Sequence, residues 1–307
     1  MHIWTHRVSI WTLMAWALLA GLVGVRPAAG LTENLGPASI DWSTRTVTAV
    51  GESEAYGNKA QGDRTQAITE RRAKMQARHK LWNGLLQVRI EDTLTVQKRV
   101  HNSPQKGQAL RELVHTSPIN RIQSPNHLQG EVHFKQKEKK AAFRASFSLS
   151  GHKAALCIPS RVWYEDRELA ASAVNATTKQ PGKEFSGLIV DARGLGGKPA
   201  LICRLVDEQG RLVYGPSLVS RQIGEEQGMT GYAASVSKAR ADSRAGMDPL
   251  LVRARRRTDG SHTDFVVRAG DLVPLWASQS WEVFRQGKVI IVLGEESGGQ
   301  VVEYPLD

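Results

Sequence analysis

Apolar and polar residues alternate with a period of two from Thr44 to Glu54, TRTVTAVGESE, the pattern of a half-buried strand. From about Asp63 to Val88 the period changes. Ala67, Ala73, Ala77, Leu81, Leu85 and Val88 fall within about 120° of one another at 100° per residue, while Arg71, Arg72, Lys80 and Gln87 lie elsewhere. The spacing predicts one long helix with a narrow alanine and leucine stripe, small enough to lie close against a sheet. Alternation resumes over Gln87–Val100 as a further strand, and Ser103–Val114 reads as a short helix with Ser103 at its N-cap and Pro104 in its first turn. Residues 119–149 give two or three strands, the last pair joined across the charged tip Lys137–Lys140. Ahead of all this, Leu31–Ser43 holds Gly36 and Pro37 and reads as an N-terminal arm.

Periodicity lapses over residues 171–184, where Pro181-Gly182 marks a linker. Beyond it, Phe185–Pro216 packs a β-rich run at Leu188–Val190, an Asp191-Ala192-Arg193-Gly194 corner, a glycine-rich turn and two more apolar runs into about 30 residues. The second of these runs, Ala200–Ile202, reads as a strand, and Gln209-Gly210 as a hairpin turn. Gly194, Gly196 and Gly197 with Lys198 invite a phosphate-loop reading. A Walker loop, however, needs four residues between its glycines and a Gly-Lys-Ser/Thr ending that opens a helix, and here Pro199 follows Lys198. A structural turn, its glycines supplying positive φ, is the expectation. Further on come a short helix ending near Gly246, strands over Pro249–Ala254 and Thr263–Arg268 around an Asp259-Gly260 turn, a helix over Asp271–Arg285 and a buried strand over Lys288–Leu293. The resulting fold class is α+β. It comprises a first domain at 44–170 and a second at 185–296, each a mainly antiparallel sheet packed by one or two helices, with a C-terminal tail over 297–307.

Charge and the N-terminus narrow the function classes. The chain carries a formal +11 over 307 residues; Arg7 and Arg26 are the only charged side chains of the first 30, which leaves +9 on the rest. A basic body suits nucleic acid, anionic glycan or anionic lipid. A short basic opening, an uncharged apolar run of 18 residues (VSIWTLMAWALLAGLVGV) and small residues at Ala28 and Gly30 form the three-part plan of a secretory signal over residues 1–30. An uncleaved anchor is the rival, since the run is just long enough to span. Either way the body is exported, to the periplasm in a Gram-negative cell, and no nucleic-acid partner is expected.

Cys157 and Cys203 are the only two cysteines, and an even count in an oxidising compartment permits one disulfide. Two small buried thiols in the apolar contexts AALCIP and ALICRL are the equal alternative. Neither cysteine has a second ligand at metal spacing, so no metal or cofactor is expected. There is no Gly-x-Ser-x-Gly elbow and no HExxH, and the histidines of the body stand singly. An exported hydrolase would need carboxylates such as Asp191, Asp207, Glu208 and Asp271 to converge in space; a non-enzymatic role is the expectation. Two basic stretches are candidates for an anionic partner: Lys137, Lys139 and Lys140 at a hairpin tip, and Arg253, Arg255, Arg256 and Arg257 at a strand end. The bland account of both is solvated strand ends. Asn175-Ala176-Thr177 fits a glycosylation sequon.

Two sets of residues carry a resemblance. In the first domain these are Val50-Gly51-Glu52-Ser53-Glu54-Ala55, the helix with Ala73 and Ala77, and Leu85-Leu86-Gln87-Val88 running to Asp92-Thr93. In the second they are Asp191-Ala192-Arg193-Gly194, Lys198-Pro199-Ala200-Leu201, Val213-Tyr214-Gly215, Gly228-Met229, Gly231-Tyr232-Ala233 and Pro249-Leu250. The chain resembles the bacterial "lipoprotein 20" group and the related flagellar assembly proteins P and T. The resemblance implies a periplasmic or outer-membrane-associated structural protein without catalysis, in some members part of the surroundings of the flagellar motor. This chain lacks the lipid-acceptor cysteine of the lipoprotein members. The expected partners are envelope proteins or further copies of the chain, with peptidoglycan or anionic lipid, met through the basic stretches, as the alternative.

Overall fold

The computed structural model describes residues 31–54, 62–122, 140–165, 183–277 and 282–294. Its architecture is α+β, organised around two large sheets. In the first, the chain runs through β1 (Thr32–Asn34), β2 (Ser39–Asp41), β3 (Thr46–Glu54), α1 (Gly62–Gln87), β4 (Arg89–Glu91), β5 (Leu94–Thr95), α2 (Val96–His101), α3 (Pro104–His115), β6 (Ile119–Ile122) and β7 (Lys140–Ser148). Five of these strands form an antiparallel sheet in the order β1-β2-β3-β7-β6.

Helix α1 lies across β3 and β7. Ala73, Ala77, Leu81 and Leu85 on its inner face are fully buried. The stripe is the expected one except at Ala67, which is exposed; Thr69 takes the buried position in that turn, its hydroxyl satisfied by the Thr65 carbonyl at 2.8 Å. Contact is close because Gly51 of β3 has no side chain: a Cβ there would stand 2.1 Å from the Ala73 carbonyl oxygen and 2.3 Å from the Ala77 nitrogen.

Two expectations for this half need correction. Leu31–Ser43 is not an arm, because β1 and β2 pair with each other and onto β3, turning at Gly36 (φ +75°) and burying Leu35, Ile40 and Trp42. Gln87–Val100 is not one strand. Asp92-Thr93 turns β4 back onto β5, and Thr95 then caps α2 by accepting from the Lys98 amide, which commits the following residues to a helix.

After α4 (His152–Cys157) the chain enters the second sheet, built from β8 (Gly187–Asp191), β9 (Leu205–Val206), β10 (Leu212–Tyr214), β11 (Gly231–Ala233), β12 (Pro249–Arg256), β13 (Phe265–Val267) and β14 (Val289–Val292). Between these lie α5 (Arg221–Glu226), α6 (Val236–Ala241), α7 (Val273–Ala277) and α8 (Glu282–Arg285). The strand order is β10-β9-β13-β12-β8-β14-β11. The expected hairpins are present: β9–β10 and β12–β13 are antiparallel, with Gly210 and Gly260 at positive φ.

The sheet as a whole, however, is mixed rather than mainly antiparallel, since β12–β8, β8–β14, β14–β11 and β13–β9 are all parallel. The chain returns to β8 only after passages that contain helices, and such crossovers bring strands in side by side with the same direction. The sequence mark is the unbroken apolar run, Leu188–Val190 and Val289–Val292, buried on both faces. One face, Ile189, Leu251, Ile290 and Val292, packs on Val236 and Ala239 of α6. The other, Leu188, Val190, Leu250, Val252, Val289 and Ile291, belongs to a core continuous with that of the first sheet.

Candidate functional site

In open sheets with parallel strands, ligands commonly bind just beyond the carboxyl ends. Here that position is occupied by the loop 192–198 after β8. Asp191 and Arg193, both almost fully buried, form a bidentate pair: Arg193 Nε donates to Oδ1 at 2.8 Å and Nη2 to Oδ2 at 2.7 Å. The Arg193 amide adds a third bond to Oδ1 at 3.2 Å. Gly194 and Gly196 take positive φ, and the loop folds back onto the β12–β13 hairpin. There the Lys198 amide donates to the His262 carbonyl at 2.8 Å, and Arg256 donates to the Leu195 carbonyl from Nε at 3.1 Å and Nη2 at 2.8 Å. A Cβ on Gly197 would lie 2.6 Å from the Phe265 ring. The loop is thus a packed turn with its Lys198 amide engaged inward, and the Asp191–Arg193 pair is the bolt that closes it.

Three further carboxylates near this sheet, Asp207, Glu208 and Asp264, are similarly engaged. Asp207 accepts from the Gln209 and Arg211 amides at 2.9 and 2.8 Å and from Arg211 Nε at 2.6 Å, which shapes the β9–β10 turn. Glu208 accepts from the Ala269 amide, a bond that holds its carboxyl below its ordinary range. Burial raises the Asp264 carboxyl, while the Arg204 amide, donating at 2.9 Å, pulls the other way. Among the described residues, no group of three histidine, cysteine, aspartate or glutamate side chains is arranged to hold a metal ion.

A seam joins the two halves of the chain, and on the side of the first half it is formed mainly by the small two-stranded sheet β4–β5. The amides of Leu201 and Ile202 donate to the carbonyls of Arg89 and Ile90 in β4, at 3.0 and 2.8 Å. Arg89 reaches the Pro199 carbonyl at 3.0 Å and pairs with Glu33; Arg204 pairs with Glu91 at 3.0 Å; and the His262 amide donates to Asp92 at 3.0 Å. The apolar run Ala200–Ile202 is not the strand expected: the chain bends at Leu201 and Ile202, whose amides are met by β4 of the first half rather than by a strand of the second sheet. Below the seam the Tyr232 hydroxyl and the Ala200 main chain exchange bonds of 2.8 and 3.1 Å.

The residues singled out from sequence are not gathered into one place. Lys137 and Lys139 lie outside the described residues, and Lys140 opens β7 in the first sheet. Arg253, Arg255, Arg256 and Arg257 lie at the end of β12 and just beyond it, in the other sheet. Arg256 is tied to Leu195; Arg257 binds Asp259 through Nε at 2.9 Å and Nη2 at 2.5 Å; and Arg255 faces Glu208 electrostatically. Cys157 and Cys203 are free and buried, so no disulfide ties the halves together. Arg99 and Lys106 act electrostatically on Cys157, whereas Asp264 and Arg204 act on Cys203. Burial pushes the Cys157 thiol up to about 12 and Cys203 well above its ordinary value. The secretory segment and the Asn175 sequon lie outside the described residues.

Three arginines escaped the sequence reading. Arg45, at φ +52°, crosses from the first sheet to donate to the Glu226 carbonyl at 2.5 Å. Arg244 donates to the carbonyls of Gly228 at 3.0 Å, Gly287 at 2.7 Å and Gln227 at 2.5 Å. Both guanidiniums thus serve the carbonyl end of α5, where positive charge complements the helix dipole. Burial, with Arg244 close by, lowers Arg45 to about 10. The third, Arg99, lines a separate cleft. For none of the three did local sequence hold a signal; Arg45 and its acceptor are 181 positions apart.

Residues 187–295 match the family model described as Treponema pallidum Tp0624, second domain. The matched stretch opens on the first residue of β8 and takes in every strand of the second sheet. No curated protein matches the chain.

Proposed function

We propose that the chain is an exported, non-enzymatic protein of the bacterial envelope whose role is structural, assembling with other envelope components or with further copies of itself. The observation that carries this reading is the fate of the polar groups beyond the parallel strands. Asp191 is paired with Arg193, Asp207 is held by Arg211 and the turn amides, and Arg256 donates to a carbonyl, so the position where such sheets commonly bind ligand is spent on holding a loop in place. The apolar segment at the N-terminus and the likeness to "lipoprotein 20" and flagellar assembly proteins support an envelope compartment. An association with the flagellar motor or the outer membrane is the finer form of the same proposal.

Cross-linking in intact cells, followed by envelope fractionation and identification of the captured proteins, tests it. Capture of envelope proteins or of a second copy, with the chain in a periplasmic or membrane fraction, is the expected result. Recovery from the cytosol without its partners would overturn the reading. A second reading, recognition of peptidoglycan or anionic lipid through basic groups, draws support from a cationic cleft in the first half and no longer from Arg256 and Arg257, whose donors are engaged within the fold.

A further inference from the structure

We infer that the cleft between α2 and the Pro159–Arg161 segment is a binding site for a phosphate-type oxyanion, with Arg99 as its central ligand. The cleft, about 350 Å³, is lined by Leu94, Arg99, Asn102, Pro159, Ser160 and Arg161. That volume lies at the lower end of the range of small-molecule sites. Its lining pairs two guanidiniums with an amide and a hydroxyl, a donor set that matches the several acceptor oxygens of a phosphate.

The charges of this corner are unbalanced. Arg161 has Glu165 at 3.3 Å, and the nearby Arg221 has Glu225 at 2.8 Å. Arg99 and Lys106, which repel one another, have no carboxylate partner among the described residues. Desolvation, Arg99 and then Arg221 lower the Lys106 amine, in that order. More telling is Arg99 itself: its Nε is buried with no hydrogen-bond partner. An unmet charged donor costs free energy that the protein recovers only when an acceptor arrives. An oxyanion seated between Arg99 and Arg161 would accept from their two guanidinium groups and offset the excess charge reaching Lys106. This inference depends neither on export nor on any protein partner.

Such an oxyanion has two sources, free phosphate and a lipid headgroup, and two arms separate them. Inorganic phosphate is titrated into the full chain by calorimetry in a phosphate-free buffer, and co-sedimentation compares phosphatidylglycerol vesicles with phosphatidylcholine vesicles. Arg99→Gln should weaken whichever binding is found by about tenfold or more, while Lys98→Gln, an equal change of charge on the same helix, leaves it within about twofold. Saturable phosphate binding with that pattern supports a soluble ligand, and binding to phosphatidylglycerol alone supports a headgroup. Absence of saturable binding in both arms, or equal losses in the two variants, overturns the inference. Circular dichroism checks that Arg99→Gln is folded; if it is not, Asn102→Leu combined with Ser160→Ala replaces it, with the same required loss and the same control.

Discussion

Replacing Gly51 by alanine tests the contact on which the first half is built. The added Cβ would stand 2.1 Å from the Ala73 carbonyl oxygen and 2.3 Å from the Ala77 nitrogen, against an ordinary contact of about 3.4 Å or more. Relief requires α1 to rise by roughly 1 Å, because backbone atoms cannot rotate aside as side chains do. A lift of that size forfeits about a quarter to a half of the dispersion energy at each contact beneath Ala73, Ala77, Leu81 and Leu85. Overpacking of this kind costs about 1–3 kcal/mol, and a clash with helix backbone belongs at the top of that range. The reduced freedom of alanine in the unfolded chain offsets about 0.4–1 kcal/mol. A net loss of about 2–2.6 kcal/mol is expected, read as a fall in Tm of roughly 4–10 °C by calorimetry or thermal circular dichroism. A second glycine makes the reasoning sharper. A Cβ on Gly84 would meet the Cβ of Ala38 at 2.2 Å, a side-chain atom. Ala38→Gly should therefore restore most of the stability lost in Gly84→Ala, whereas Ala77→Gly should not rescue Gly51→Ala. A Gly51→Ala protein within about 0.5 kcal/mol of the parent, or one repaired by Ala77→Gly, would refute the packing account.

Further expectations concern buried polar groups. Asp191→Asn leaves the Arg193 guanidinium buried opposite a neutral amide and should cost about 3–5 kcal/mol in denaturant unfolding, while a double change to apolar residues of similar volume should cost less than the sum of the single changes. The free thiols should fail to react with Ellman's reagent at pH 8 in the native protein and both react after denaturation; one equivalent labelled natively would contradict their burial. Because folding raises the Cys157 thiol from 9.0 to about 12, its stabilising contribution is complete below pH 9 and is lost as pH climbs through 12. Cys157→Ala should accordingly flatten the decline of stability across that window by about 1.4 kcal/mol per pH unit, and an unchanged slope would exclude the linkage. Arg45→Gly and Arg45→Ala both remove the bond to Glu226, but glycine tolerates φ +52°, so the glycine variant should be the more stable by about 1 kcal/mol in urea melts.

Local signals were legible where a period or a turn residue sufficed. The stripe from Ala73 to Leu85, the Pro104 helix start and the turns at Gly210 and Gly260 all stand as the sequence spells them. Strand direction was harder to read, because a run such as Leu188–Val190 is apolar whichever way its neighbours point, and only the crossovers decide. Thr95 converted an alternating stretch into a capped helix, a case of local hydrogen bonding overriding periodicity. The cationic groups were the least legible. Runs such as Arg255–Arg257 draw attention in a sequence, yet two of those guanidiniums are tied up within the fold, whereas Arg99, unremarkable in its own helix, has a buried Nε that goes unmet. Clustering along a chain says little about clustering in space.

The pairing of Leu201 and Ile202 with β4 also bears on how this architecture can be inherited. The stretch that matches the family model includes these two residues, but the carbonyls that satisfy their amides belong to the other half of the chain. A gene that carried the second sheet to a new setting alone would leave the Leu201 and Ile202 amides unmet and uncover the apolar residues 200–202. Such a descendant must bring a substitute for β4, replace Leu201 and Ile202 with polar residues, or find those acceptors on another molecule. A unit that looks modular along the sequence is, at this edge, half of a joint.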